Sequence, residues 1–573
     1  MSEDRLELDI SSTLTEDPRS GGKHTPPGTV GVINPQSGGS VRNVGSAKAL
    51  GSRSAVLVGV AALVAAALAL RLSLLVRSGW LLEGDDALST LMALNILSGD
   101  RPIMLKNQTY AAAWEPYAMA ATYTLLGISR VSAKLPALLG SLALVGTTWL
   151  LAREVAGRAA AWFAATLVAF APVYVLVLSL KPWAPYTEVT LFGSLCLLGA
   201  VRLAWRRPTP ETHDGLTAVG TGLAGGLALW MHPLAVWYLG AATLTVLARV
   251  RGTRWLAIMG WGLAGFALGA LPILIFNWQT GGATVRFVLG GTQGQTADRA
   301  AVLGVWWSND LPRGAGMWHP WGDNPAVLGA LMAIVVGAAL VWAVVGRRQL
   351  SLRPLDAVLA LLVLIPTLFV LSGFGGPALN PYGFDATGRY TPPIWSGLAV
   401  VLGAALASVW RIRRRLALAV AIVPLAVNLV GVASIDPVAA FQSPYWDRLP
   451  VDNGPLLDTL RSEGVEYVWL NHWAGQPAMF DARARGQTLI AYDWYDVQAG
   501  GIDRFPEYLP LVERAQRPAF VLVTDESQPE LERALRSMGV SFVERRRPPY
   551  VVVIPSSRKV HPSEVTGALD YRY

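Results

Sequence analysis

Between residue 55 and about residue 434 the chain alternates long apolar runs with short polar stretches, and the runs have membrane-spanning length. Those at 55–76, 135–152, 159–178, 185–204, 217–231, 233–248, 255–276, 325–345, 355–372, 392–410 and 416–434 predict about eleven transmembrane helices. One apolar segment stands outside the series. Trp114 to Gly127 holds about fourteen residues and starts Trp-Glu-Pro, so it is too short to cross and reads as an interfacial or re-entrant helix.

The two ends read differently. Residues 1–53 mix Ser, Gly, Pro and charge without apolar periodicity, the composition of a disordered tail, and lack the pattern of a signal peptide. Past Pro437, β-rich runs at Val465–Leu470, Thr488–Tyr492, Ala519–Val523 and Val551–Ile554 alternate with helical stretches at Pro455–Ser462 and Gln528–Met538. That is the pattern of a small α/β domain over residues 435–573. It carries no phosphate-binding glycine loop, zinc spacing or Ser-His-Asp order, and the chain has no internal repeat of clear period. The expected fold class is an α-helical polytopic membrane protein, residues 54–434, with a small C-terminal α/β domain.

Charge then orients the helices. Arginines cluster in alternate loops, as Arg153 and Arg158, Arg202, Arg206 and Arg207, Arg249, Arg251 and Arg254, Arg347, Arg348 and Arg353, and Arg411 and Arg413 to Arg415. One side takes them all, which makes it cytoplasmic, provided that Trp114–Gly127 does not cross. The tail at 1–53 is then cytoplasmic. The first loop, 77–134, and the C-terminal domain are exoplasmic, with the 277–324 and 373–391 loops. The expected location is the cell membrane, with the unusual polar residues facing outward.

Composition agrees. Of the 573 residues 53% are hydrophobic and only 15% charged, and the mean hydropathy is +0.40, outside the soluble globular range. The net charge of +8 is parcelled into loops rather than gathered on one soluble face, which excludes nucleic acid as a partner. The single cysteine, Cys196, lies in an apolar run and excludes a disulfide framework or a cysteine metal site.

The candidate chemistry sits in the first loop, Glu83 to Glu115. Asp85 and Asp86 stand side by side at the foot of an amphipathic segment, with Lys106 and Glu115 further along. Paired carboxylates just outside a bilayer suit proton abstraction from a hydroxyl, or a divalent metal. The alternative is that Gly84-Asp85-Asp86 turns the chain and caps the next helix. His232 ends an apolar run before Pro233, where a structural hydrogen bond competes with a functional role. Trp306, Trp307, Trp318 and Trp321 crowd one exoplasmic loop, as an interfacial aromatic belt or a sugar-stacking surface.

Taken in order, these residues resemble the integral-membrane glycosyltransferases of the GT-C fold class, which use polyprenyl-phosphate sugars. The likeness is to the bacterial branch near the protein O-mannosyltransferases and lipid A aminoarabinose transferases. Asp85-Asp86 followed by Ala87 to Gly99 fits that branch's acidic pair and ALxxLMAxxILxG helix, although many relatives carry Glu where Asp86 stands. Tyr110 and Glu115 fit a Tyr-x-x-x-x-Glu element, and Ala152 to Arg158 an arginine-rich turn. Ser179-Leu180-Lys181 with Tyr186-Thr187-Glu188, and Gly388-Arg389-Tyr390 with Pro392, fit two further elements. Gly464 to Tyr467 and His472-Trp473 match the family's α/β tail. The likeness spans roughly residues 54–555.

The resemblance implies transfer of a sugar from a polyprenyl-phosphate donor to an envelope glycan, lipid or protein at the exoplasmic face. Asp85 is then the base, with Asp86 orienting it or binding the acceptor sugar. Lys181, Arg389 and Lys106 are candidate anchors for the donor phosphate, with snorkelling to lipid headgroups as the alternative for the first two and a solvated loop charge for the third. Tyr110, Glu115, Tyr186, Glu188 and His232 are candidates for sugar or acceptor binding, with helix capping the alternative for Glu115. No cofactor is certain, and a divalent metal stays open. Two other classes stay open: a polytopic transporter or flippase of lipid-linked sugars, although such proteins usually place their charges near the bilayer midplane with repeat symmetry, and a non-catalytic scaffold, which would tolerate loss of Asp85.

Overall fold

The computed structural model describes residues 44–206, 214–289, 298–346, 353–372, 387–444, 446–499, 503–523 and 528–569. Most of the expected tail, Arg207, Arg347, Arg348 and most of the 373–391 loop lie outside the described residues. The chain divides at residue 58 into two units, and residues 59–573 form the one that holds the fold.

Helices α1 (Val44–Arg77), α2 (Gly84–Leu97), α3 (Trp114–Leu126) and α4 (Arg130–Ala156) lead into α5 (Arg158–Ala169), α6 (Val173–Leu178) and α7 (Tyr186–Trp205). Next come α8 (Asp214–Met231), α9 (Ala235–Arg249), α10 (Thr253–Gly269) and α11 (Leu271–Gln279). The short helices α12 (Ala283–Leu289), α13 (Arg299–Val305) and α14 (Leu311–Gly314) precede α15 (Ala326–Gly346), α16 (Leu355–Ser372), α17 (Pro392–Ile412) and α18 (Arg414–Ser434).

Every expected apolar run is helical, but two are interrupted. The run at 159–178 breaks at Phe170–Pro172 into α5 and α6, and the run at 255–276 bends by 61° between α10 and α11. Among the described residues six helices are long and apolar enough to cross a membrane, or seven with the bent pair. The segment read as too short to cross is the 13-residue α3. Helices α17 and α7 form the centre of the bundle, with 83% and 72% of their apolar windows buried, whereas α1 buries 11%.

Two devices fix this packing. Arg71, inside the first apolar helix, is fully buried, and a charge there needs partners. Its guanidinium donates to Ser141 Oγ on α4 at 2.7 Å and to the Ala169 carbonyl closing α5 at 2.9 Å. Ser141 in turn shares a 2.7 Å hydrogen bond with Ser179, two residues before Lys181. The second device is a pair of glycine ridges. A Cβ on Gly222 would stand 1.9 Å from the Gly262 carbonyl oxygen, and one on Gly265 would stand 2.1 Å from that of Val219. Helices α8 and α10 therefore touch backbone to backbone, as small residues allow in membranes.

The C-terminal α/β portion follows α19 (Pro437–Phe441). It contains α20 (Gly454–Ser462), α21 (His472–Ala484), α22 (Trp494–Ala499), α23 (Leu509–Arg514) and α24 (Gln528–Ser537). Its strands are β1 (Tyr467–Trp469), β2 (Ile490–Tyr492), β3 (Ala519–Val523), β4 (Phe542–Arg547) and β5 (Tyr550–Pro555). They form one mixed sheet in the order β2-β1-β3-β5-β4, with β2, β1 and β3 parallel and β5 antiparallel to both neighbours.

This portion is seated on the first loop and α4. Helix α21 packs on α2, where Gly84 makes room: a Cβ there would lie 2.7 Å from the Trp473 ring. Arg130 at the start of α4 makes a two-pronged contact with Asp481, one prong at 2.9 Å, and donates to the Val451 carbonyl at 2.7 Å.

Gly222→Leu should force α8 from α10 and cost about 1–3 kcal/mol, the usual scale of overpacking. Thermal unfolding of detergent-purified protein followed by size exclusion checks this, with Gly220→Leu, which meets nothing within 4 Å, as the tolerated control.

Candidate active site at the head of the first loop

The loop after α1 delivers Glu83-Gly84-Asp85-Asp86 to the first turn of α2. The cap is Glu83, whose Oε1 accepts from the Asp86 amide at 3.3 Å. Neither aspartate is the cap, so both carboxylates are available for other work while still meeting the positive end of the helix.

They point to different places. Asp86 is fully buried, and its Oδ2 accepts from Lys134 Nζ on α4 at 2.6 Å. Its Oδ1 is buried with no hydrogen-bond partner. Glu115, at the start of α3, and Glu188, at the start of α7, are buried near this pair. Burial, followed by repulsion from Glu188 and Asp86, pushes the Glu115 carboxyl well above the usual range. Glu83 is pushed up to about 8 by burial and by the two aspartates, against the pull of Lys181. At neutral pH the wall of carboxylates therefore keeps part of its protons, which limits the charge that two lysines must balance.

Asp85 faces a second group. Its Oδ2 accepts a hydrogen bond from the Trp183 indole, and its Oδ1 lies 3.7 Å from Arg504 Nη2 of the C-terminal portion. Trp183 also carries two cations. Lys181 Nζ is 4.8 Å from its ring centroid and the Arg389 guanidinium carbon 5.7 Å, so all three candidates converge on one indole. Lys181 is further held by the Gln442 carbonyl at 2.9 Å and stands 4.0 Å from Glu83.

Behind Arg389 runs a chain of rings. Tyr390 lies 5.1 Å from that guanidinium and meets Tyr186 at 5.7 Å and His232 at 6.0 Å, and His232 meets Tyr110 at 5.6 Å. His232 is fully buried, and its Nδ1 accepts from the Leu234 amide at 3.2 Å, a structural bond of the kind its place before Pro233 suggests. Tyr110 stacks on Phe287 at 4.5 Å.

Lys106 is drawn elsewhere. It is ion-paired with Glu507 and sits over the Phe505 ring, both in the C-terminal portion. The four tryptophans also separate. Trp306 is buried against Phe369, Trp307 is exposed, Trp318 lies over Arg313, and Trp321 stacks on Tyr174 at 5.1 Å.

Beside this cluster lies a cavity of about 980 Å³, lined among others by Lys181, Trp183, Arg313, Trp321, Trp446 and Arg448. Cations and indole faces together suit a ligand with a phosphate and a sugar or isoprenoid surface. Arg313 is held between Tyr174 at 5.2 Å and Trp318 at 4.8 Å and donates to the Thr387 carbonyl. Sequence reasoning missed Lys134, Trp183, Arg313 and Arg504. A lysine at the mouth of an apolar run was the available signal for Lys134. Among the described residues no three His, Cys, Asp or Glu side chains are grouped to hold a metal ion.

The helical bundle with its appended sheet has the fold of the GT-C membrane glycosyltransferases. The chain superposes on ArnT from Cupriavidus metallidurans bound to undecaprenyl phosphate with a TM-score of 0.59 and 14% identity, covering 90% of this chain and 99% of that one. The apo state of that protein gives 0.57 at 14% identity, over 87% of this chain and 98% of the other. The arabinofuranosyltransferase AftD from Mycobacteria gives 0.51 at 17% identity, over 87% of this chain and 42% of the larger one. No family model and no curated protein matches the sequence.

Breaking the Asp86–Lys134 pair should be costly, because the surviving charge is stranded. Lys134→Met and Asp86→Leu singly should each lose about 3–5 kcal/mol, and the double variant should recover much of it. Thermal unfolding of the three purified variants reads this directly.

Proposed function

We propose that the protein is a membrane glycosyltransferase that moves a sugar from a polyprenyl-phosphate donor to a glycan, lipid or protein of the cell envelope. The observation that carries this reading is the convergence of Asp85, Lys181 and Arg389 on the Trp183 indole, beside a large cavity in a GT-C fold. The undecaprenyl phosphate bound to ArnT supports the lipid carrier, and the fold favours transfer over transport.

In this reading Asp85 takes the proton of the acceptor hydroxyl as its oxygen attacks the anomeric carbon. The bond from that carbon to the phosphate oxygen breaks, and the lipid phosphate leaves with the electron pair. Lys181 and Arg389 steady the charge that grows on it. Attack opposite the leaving group makes the transfer inverting, for a hexosyl or a pentosyl donor alike. Asp86 does not reach substrate; it holds Asp85's helix through Lys134. Glu115, Glu188, Tyr186, Tyr110 and His232 form the wall against which the sugar is bound, and Lys106 serves the seating of the C-terminal domain.

The membrane orientation belongs to the same proposal. Residues 1–53 are a cytoplasmic tail, residues 54–434 the transmembrane catalytic domain, and 77–134 and 435–573 its exoplasmic loop and domain. A reporter fused at Ser132 should then read exoplasmic, since α3 does not cross. A cytoplasmic signal would move every later loop and turn the site inward.

Asp85→Asn keeps the side chain's shape but cannot take the proton, and a positioned base is worth about 10²–10⁴-fold in rate. The variant should insert, fold and bind undecaprenyl phosphate like the wild type, yet transfer radiolabelled sugar in isolated membranes with that deficit. Transfer near the wild-type rate would return Asp85 to a purely structural part.

A further inference from the structure

One side chain of the C-terminal sheet portion stands against Asp85 itself. Arg504 Nη1 donates to the carbonyl of Asn107 in the first loop at 3.2 Å, while its Nη2 stands 3.7 Å from Asp85 Oδ1. Both side chains keep only 14% of their exposure, so the pair is shielded from the screening that weakens surface ion pairs. Asn107 and Lys106 return the contact, to the Asp503 carbonyl and to Glu507.

We propose that Arg504 is a positioning residue for Asp85, and that through it the C-terminal domain completes the active site; this rests on the reading of Asp85 as the base. Trp183 fixes one oxygen of the carboxylate by a hydrogen bond. Arg504 fixes the other by charge, at a distance too long for a hydrogen bond. Oδ1 therefore keeps its lone pairs for the incoming proton while its rotamer is held. A guanidinium suits this part because it stays charged at any working pH and so never competes for that proton. Misplacing a reacting group by about 1 Å costs on the order of 10²-fold in rate, which is the scale at which such a clamp matters.

The test uses full-length protein in detergent and five variants: Arg504→Ala, Arg504→Lys, Asp85→Asn, the double variant Asp85→Asn with Arg504→Ala, and Glu507→Gln. The last breaks a neighbouring contact between domain and loop without touching Asp85. The first readout needs no substrate. Modification of Asp85 by a water-soluble carbodiimide, measured by mass spectrometry, should rise several-fold in Arg504→Ala and stay at the wild-type level in Glu507→Gln. Equal modification in all three proteins would overturn the proposal.

The second readout is transfer from polyprenyl-phosphate arabinose, mannose and aminoarabinose, radiolabelled in the sugar. With whichever is turned over, Arg504→Ala should lower kcat by about 10–100-fold with donor KM little changed, and Arg504→Lys should restore part of it. On the Asp85→Asn background Arg504→Ala should cost nothing more. A loss that Glu507→Gln shares, that lysine does not rescue, or that adds to Asp85→Asn would make Arg504 a fastener of the domain and overturn the proposal. Asp85→Asn at the wild-type rate would instead sink the reading of the base, while the carbodiimide result would still report the pairing.

Discussion

Everything at the head of the first loop depends on one buried ion pair. Asp86 and Lys134 have no exposed side-chain surface, and two charges so placed are tolerable only in contact with each other. The 2.6 Å hydrogen bond between them fixes the rotation of α2 about its axis relative to α4. With that rotation set, Asp85, one position back, leaves the helix on the side of Trp183 rather than within the carboxylate wall. The adjacency of the two acids is thus a division of labour, in which one is sacrificed to burial so that the other is aimed.

Trp183 has the complementary part. An indole offers an N–H at its edge and a negative face, so a single side chain can hold a carboxylate and attract two cations at once. Its neighbours Pro182 and Pro185 stiffen the segment that carries it. Arg71 reaches the same segment from the first helix, through Ser141 and Ser179, so the cation Lys181 and the ring it faces hang from a relay that begins deep in the bundle.

Much of this architecture was legible in the sequence because bilayers constrain patterns strongly. Nine of the eleven apolar runs, the short helix at Trp114 and the change to an α/β pattern after Pro437 reappear as elements near their expected limits, while the runs at 159–178 and 255–276 each divide into two helices. What escaped has physical reasons. Strand β4 ends Glu544-Arg545-Arg546-Arg547, an exposed edge with none of the apolar alternation that marks a strand. Arg71 is hidden inside an otherwise apolar run, where averaging hides one charge. Asp85, Lys181 and Arg389 could be proposed singly, but their meeting on Trp183 is a product of folding over three hundred residues of chain. No periodicity encodes it. The seat of Lys106 was illegible for the same reason, since its partner Glu507 lies 401 residues away.

That last separation carries a consequence in time. A chain is made from its N-terminus at roughly 5–20 residues per second, so about 20–80 s pass between the emergence of the first loop and that of the residues that fasten it. Throughout that interval the acidic loop is in place in the membrane while Lys106, Asn107 and Asp85 lack their distant contacts. A message cut short before the final sheet yields a bundle with its helices inserted and its loop unfastened. The order of synthesis therefore acts as a safeguard, leaving the acids of the first loop unassembled until the sheet that fastens them has arrived.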